Sequence, residues 1–200
     1  MTTTVLRSEP LNRSARLSFA HIRSVRGALG ALGLLLALPI TIVYQMFFPV
    51  GAEAVIHVAL AVGTFLIGLS VFDFEAPSWL KSVSCVAASA LAIIFLGQGL
   101  AEFTQNETLK NIAFSREIGA WGEMITVTVV MVWFIAVALT HGRGPTMILG
   151  VLSSAFIVGL GAWSILFAPP SGTPQEMRLV FLLPIAWFLF VSARRTSRSS

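Results

Sequence analysis

Charge is scarce in this chain of 200 residues: only 11% of them are Asp, Glu, Lys or Arg, against roughly 25% in a soluble domain. With 56% hydrophobic residues and a mean hydropathy of +0.86, too little charge remains to cover a folded surface in water. That deficit excludes an ordinary soluble domain and makes lipid the expected solvent. Cysteine is down to a single residue, Cys85. This excludes an intrachain disulfide, a cysteine-rich zinc site and a dithiol redox pair, and its place in an apolar run reads as a buried small residue. No phosphate-binding loop, nucleophile elbow, His-Glu-x-x-His or dinucleotide fingerprint occurs. The water-soluble chemistries those motifs carry therefore have no foothold, and no cofactor is expected.

The small charge complement is unevenly spread. A net charge of +4 raises the question of nucleic acid, but the distribution answers against it. Arg7, Arg13, Arg16, Arg23 and Arg26 precede the first apolar run, and Arg194, Arg195 and Arg198 follow the last. Basic clusters flanking apolar spans mark topology and contact with anionic headgroups. The expected partners are the lipid bilayer and other membrane subunits or further copies of the chain, with no nucleic acid.

A span needs about 20 mostly apolar residues, and six segments qualify: Ala28–Phe48, Ala52–Phe72, Ser82–Ala101, Ile118–Thr140, Pro145–Ala168 and Met177–Ala193. The first is too long for a signal-peptide core, and Phe47-Phe48-Pro49 makes a poor cleavage site. Proline and glycine punctuate the breaks, at Pro49-Val50-Gly51, Ala76-Pro77, Gly142-Arg143-Gly144-Pro145 and Pro169-Pro170. Isolated strands cannot satisfy their backbone in lipid, so the spans are helices. The expected fold is an all-α, polytopic bundle of six transmembrane helices. It divides into a basic N-terminal segment (1–27), a membrane domain (28–193) and a basic tail (194–200). Residues 10–26 are also compatible with a helix lying on the inner surface.

With the N-terminus inside, the inner segments hold ten Lys and Arg and the outer ones three, namely Lys110, Arg116 and Arg178. This satisfies the positive-inside rule and predicts both termini cytoplasmic, in the inner (plasma) membrane of a bacterial type of cell. Trp79, Trp121 and Tyr44 fall near the expected interfaces. Pro39 and Pro184 are expected to kink their spans. The longest loop runs from Glu102 to Glu117 and contains Asn106-Glu107-Thr108, a glycosylation pattern too short and common to carry weight.

Small residues at four-residue spacing let helix backbones approach. Ser84, Ala88 and Ala92 form one such row; Gly150 with Ser154, and Ala155 with Gly159, form two more. The segment from Gly63 to Phe72 also aligns with that from Ser154 to Trp163, and an Ala-Pro pair follows in each half. This suggests two inverted halves of three spans each.

Polar residues inside lipid are costly and usually face a cavity or a partner. Glu53 and His57 lie four apart near the outer end of the second span, as do Gln98 and Glu102 at the end of the third. Tyr44 ends the first, and Glu117 and Glu123 open the fourth. Polar helix ends account for Glu53, Glu102 and Glu117. His57 and Glu123 lie deeper, and an interhelical hydrogen bond that fixes packing is their bland alternative. The ligand-binding set expected of a polar pocket open to the outer face is therefore His57, Glu123, Glu53, Gln98, Glu102 and Tyr44. Should a metal bind, His57, Glu53 and Glu123 are its candidate ligands. A bis-histidine haem that includes His57 is disfavoured, because His21 and His141 fall at the opposite end.

Three functions fit these expectations. The first is a small solute transporter, or the substrate-binding membrane subunit of one. The second is an accessory subunit of a larger membrane complex. The third is an intramembrane metal-binding protein or enzyme, with no catalytic residue identified.

Overall fold

The structure, a computed structural model, describes residues 23–47, 52–167 and 180–194, without the side chains of 38, 41–47, 52, 116, 120 and 164–167. Among the described residues all regular structure is helical: α1 (Val25–Phe47), α2 (Ala52–Ser70), α3 (Ser78–Thr104), α4 (Glu107–Ala113), α5 (Glu123–His141), α6 (Pro145–Phe167) and α7 (Leu182–Ala193). A short 3-10 turn, Val71–Asp73, extends α2, and a π-helical segment, Arg116–Gly122, leads into α5. Four stretches are long and apolar enough to cross a membrane: Glu53–Asp73, Ser78–Thr104, Glu117–His141 and Pro145–Trp163. Val25–Ala37 and Leu182–Ala193 are shorter apolar helices.

A helix lies within each expected span, four of them long and apolar enough to cross a membrane, with local differences. α1 starts three residues earlier than the apolar run, because Ser24 caps it. Ser24 Oγ accepts the Gly27 backbone N–H at 2.9 Å, satisfying one of the amide groups a helix start leaves without a partner. The loop expected from Glu102 to Glu117 contains α4. Asn106 is its N-cap, with the side chain accepting the Leu109 N–H at 3.1 Å, and Glu107 and Lys110 suit the two ends of its dipole. α3 runs on to Thr104 and stops at Gln105, which takes a left-handed φ of 52°. Pro184 lies in the first turn of α7, just after an interruption: Val180 is helical, Phe181 is a turn and the helix resumes at Leu182, as expected where a proline has no N–H for the carbonyl four residues before it. Pro39 does lie inside α1. The expected surface helix over residues 10–26 falls mostly outside the described residues.

Each long helix packs antiparallel against the next, and the chain closes into a ring in the order α1, α2, α3, α5, α6, α7 and back to α1. Two backbone hydrogen bonds seal the closure, from Arg23 N–H to the Arg194 carbonyl at 3.2 Å and from Ser24 N–H to the Ser192 carbonyl at 3.1 Å. Backbones meet closely where α1 crosses α2: a Cβ added at Gly30 would stand 2.7 Å from the Gly63 carbonyl oxygen. On the next interface Gly68 faces Ala88, and a Cβ there would lie 2.8 Å from that of Ala88. The expected small-residue row Ser84, Ala88, Ala92 is buried, and Gly150 packs beneath the Trp187 ring. Ala155 and Gly159 instead face outward, with nothing within 4 Å of a Cβ added at Gly159. Cys85 is half-buried rather than buried.

The outside of the ring is as apolar as the inside. Leu36, Val55, Val86, Ile93, Leu139, Leu152 and Leu183, on six different helices, all project outward. In water so continuous an apolar surface would drive aggregation; it suits lipid.

Candidate functional site

Every helix but α4 contributes to the wall of a partly open cavity of about 150 Å³. On α2 the lining residues are His57, Leu60, Thr64 and Ile67, and on α3 Leu91, Phe95 and Gln98. These spacings of three, four and seven place each set on one helix face. Along α5 the wall runs from Glu123 to Phe134, eleven residues or about 16 Å of helix at 1.5 Å per residue. His57 to Ile67 on the antiparallel α2 spans about 15 Å on the same arithmetic, so the two walls have matching length. Leu34, Ile157, Phe181 and Ile185 complete the apolar body.

The polar groups gather at one end. His57, Gln98 and Glu123 lie there, on α2, α3 and α5, with Thr64 and Thr128 deeper in the wall. Glycine permits the convergence: at Gly99 an added Cβ would stand 3.2 Å from both the Ala54 carbonyl oxygen and the His57 Cβ. The π-helical turn positions Glu123. Gly119 packs against the turn after α4, where an added Cβ would come within 3.0 Å of the Ala113 carbonyl and of Phe114 Cα. At the junction the Thr126 hydroxyl donates to the Gly122 and Glu123 carbonyls, at 2.7 and 2.9 Å. This bonding supports carbonyls freed where the helix changes pitch.

His57 is oriented by its own helix. Its Nδ1 lies 2.8 Å from the Glu53 carbonyl oxygen, and since a carbonyl only accepts, Nδ1 carries the proton and Nε2 is the ring's other hydrogen-bonding position. Phe114 meets the imidazole edge-on, with centroids 6.1 Å apart. His57 and Glu123 both have further interactions. Gln98 is 5% exposed, and among the described residues its carboxamide makes no hydrogen bond although it lines the cavity.

Of the six expected ligand-binding residues, the structure brings His57, Gln98 and Glu123 to one cavity. Glu53 and Glu102 are half-buried and do not line it; the Glu102 carbonyl instead accepts the Gln105 amide at 2.6 Å. The Tyr44 side chain lies outside the described residues. Among those residues no three His, Cys, Asp or Glu side chains gather as a metal ion requires. Sequence reading missed Thr64 and Thr128. Thr64 stands seven residues after His57, the same-face spacing that could have found it.

At the cavity's other end the Phe134 ring closes the floor. Behind it Phe188 stacks on Phe134 at 4.4 Å, and Trp133 and Phe74 pack edge-on to each other at 5.8 Å. Below this aromatic block is a second polar site the sequence did not disclose. Asp73 accepts the Ser24 hydroxyl at 2.7 Å through one oxygen and pairs with Arg26 at 2.5 Å through the other. Nearby, burial and the neighbouring Arg194 push the Arg23 guanidinium below its ordinary pKa.

The two ends of the bundle thus carry opposite charge. Arg23, Arg26, Lys81, Arg143 and Arg194 outnumber Asp73 and Glu75 at the end where α1 starts. Glu53, Glu102, Glu107, Glu117 and Glu123 outnumber Lys110 and Arg116 at the end that holds the polar part of the cavity. Comparison of the chain with protein-family models, with curated protein sequences and with solved structures finds no match.

Proposed function

We propose that this chain is a six-helix integral membrane protein that takes a small solute into its central cavity, as a transporter or as the substrate-binding membrane subunit of one. The observation that carries the reading is a cavity walled by six helices, apolar along most of its length and polar at one end. A ring whose interior only fixed packing would fill its axis with side chains, as protein interiors do at crystal-like density. The orientation we propose follows charge: the basic end, where Arg23 and Arg194 meet, faces the cytoplasm, and the acidic end faces outward. α1 and α7 then complete the six spans. A transporter of this plan would bind its solute through His57, Gln98 and Glu123, with the aromatic block around Phe134 separating the cavity from the cytoplasmic end.

The test is solvent extraction of small molecules from protein released gently from its own membrane, comparing wild type with Thr64→Phe, which fills the cavity. A molecule enriched on the wild type and lost from the variant supports the reading. Uptake of that molecule into reconstituted vesicles should then fall at least tenfold in His57→Ala and Glu123→Gln at unchanged protein abundance. Recovery of stoichiometric polypeptides and no small molecule would overturn it in favour of an accessory subunit.

A further inference from the structure

The geometry points to an uncharged ligand of about single-ring size, whose polar group hydrogen-bonds the Gln98 carboxamide while its apolar body lies against Phe95, Met131 and Phe134. This rests on the cavity-binding reading above and names the chemistry of its ligand.

Size is the first constraint. An apolar cavity of about 150 Å³ admits a benzene-sized guest, and this one has that volume. Its wall is apolar for most of its length, with Leu60, Ile67, Leu91, Val127 and Val130 among the lining residues. Such a wall accepts a hydrocarbon body and resists a polyhydroxylated one, whose hydroxyls would be left without partners.

Charge is the second constraint. Among the described residues no Lys or Arg lines the cavity, so an anion would meet no counter-charge from them and would stand near Glu123. His57 and Glu123 already carry other interactions, and the His57 ring is tied to the Glu53 carbonyl.

Gln98 supplies the third constraint. It is 5% exposed, lines the cavity and makes no hydrogen bond among the described residues. Its carboxamide opens on the cavity rather than being sealed from it, so its two donors and its acceptor are offered to an occupant. Thr64, 4% exposed, and Thr128 line the same wall, and neither hydroxyl donates a hydrogen bond among the described residues. A ligand group that both donates and accepts, such as a hydroxyl or an amide, matches Gln98; a hydrocarbon cannot.

The test uses the full chain in lipid nanodiscs, with empty nanodiscs subtracted, and three probes of nearly equal shape: benzyl alcohol, toluene and benzoate. Wild type is expected to bind benzyl alcohol about tenfold more tightly than toluene, the effect of one buried hydrogen bond, and to bind benzoate weakest. In Gln98→Leu the alcohol's advantage should vanish while toluene binding is kept or improved; Gln98→Met serves the same purpose if the leucine variant fails to fold. Equal binding of the alcohol and toluene by wild type would overturn this inference and leave the cavity reading standing, and tightest binding of benzoate would overturn it equally. No binding of any probe above empty nanodiscs would overturn both.

Discussion

Removing the Asp73 carboxylate separates two interactions that look alike but differ in worth. Asp73 holds Arg26 at 2.5 Å and Ser24 at 2.7 Å, so both contacts have good geometry. The Arg26 side chain is 49% exposed, however, and an exposed ion pair contributes about 0–1 kcal/mol after screening and side-chain entropy. Ser24 is 2% exposed, and its hydroxyl donates to a charged acceptor, a bond with a net worth of about 1.5–3 kcal/mol. The same hydroxyl caps α1 through the Gly27 N–H, a role that typically adds about 1 kcal/mol. Asp73→Ala and Ser24→Ala are therefore each expected to cost about 2–3 kcal/mol, and Arg26→Gln less than about 1. Because Ser24 and Asp73 share one bond, the double variant should cost less than the sum of the singles, by about 1–2 kcal/mol. Equilibrium unfolding in mixed micelles, followed by the fluorescence of the core residues Trp133 and Trp187, measures all four variants. Arg26→Gln costing as much as Asp73→Ala, or strict additivity of Ser24→Ala with Asp73→Ala, would refute the reasoning.

Further expectations concern packing and topology. Gly30→Ala should destabilise by about 1–3 kcal/mol, because its methyl would meet the Gly63 backbone, which cannot yield like a side chain. Gly159→Ala, where the added Cβ meets nothing within 4 Å, should be neutral or stabilise by up to about 1 kcal/mol through helix propensity; unfolding midpoints distinguish the two. Phe134→Ala removes the ring stacked on Phe188 and should cost about 3–5 kcal/mol in the same unfolding titration. In a Cys85→Ala background, Arg143→Cys should react with a membrane-impermeant thiol reagent only from the cytoplasmic side and Glu107→Cys only from outside. The reverse pattern would invert the proposed orientation.

How the faces were chosen explains where the sequence falls silent. In water a helix advertises its buried side by being apolar there and polar elsewhere. Here Val55 is 70% exposed and the adjacent Ile56 is 5% exposed, yet the two residue types are nearly equivalent in apolarity. Lipid is as good a solvent for Val55 as the core is for Ile56, so the pattern carries no signal of which side is in. Steric signals survive in part. Ser84, Ala88 and Ala92 were legible as a packing row because small size marks close approach whatever the solvent. The equally small Ala155 and Gly159 were misread, because size permits an approach without requiring one.

The candidate site divides in the same way. His57 and Glu123 stood out because an ionisable group in an apolar run is costly wherever it falls, and Gln98 through its place near the end of α3. Glu53 and Glu102 carried a similar polar signal and share the faces of His57 and Gln98, but lie one turn beyond the end of the cavity. Asp73 gave no signal at all, since nothing in the sequence ties it to Ser24, 49 positions away.

What the sequence determined alone is the apolar character of the chain, the places where proline, glycine and charge interrupt its helices, and the separation of basic from acidic flanks. Those follow from local chemistry, since transfer free energy and backbone propensity act residue by residue. Only the tertiary structure decided that α7 returns to α1 and closes a ring, that the ring surrounds a partly open cavity with Gln98 facing into it, and that Asp73 fastens the end opposite the cavity's polar groups. Each depends on which side of an evenly apolar helix turns inward, and that choice is made by close packing at residues such as Gly30, Gly63 and Gly68, where backbones meet across distances a local pattern does not encode.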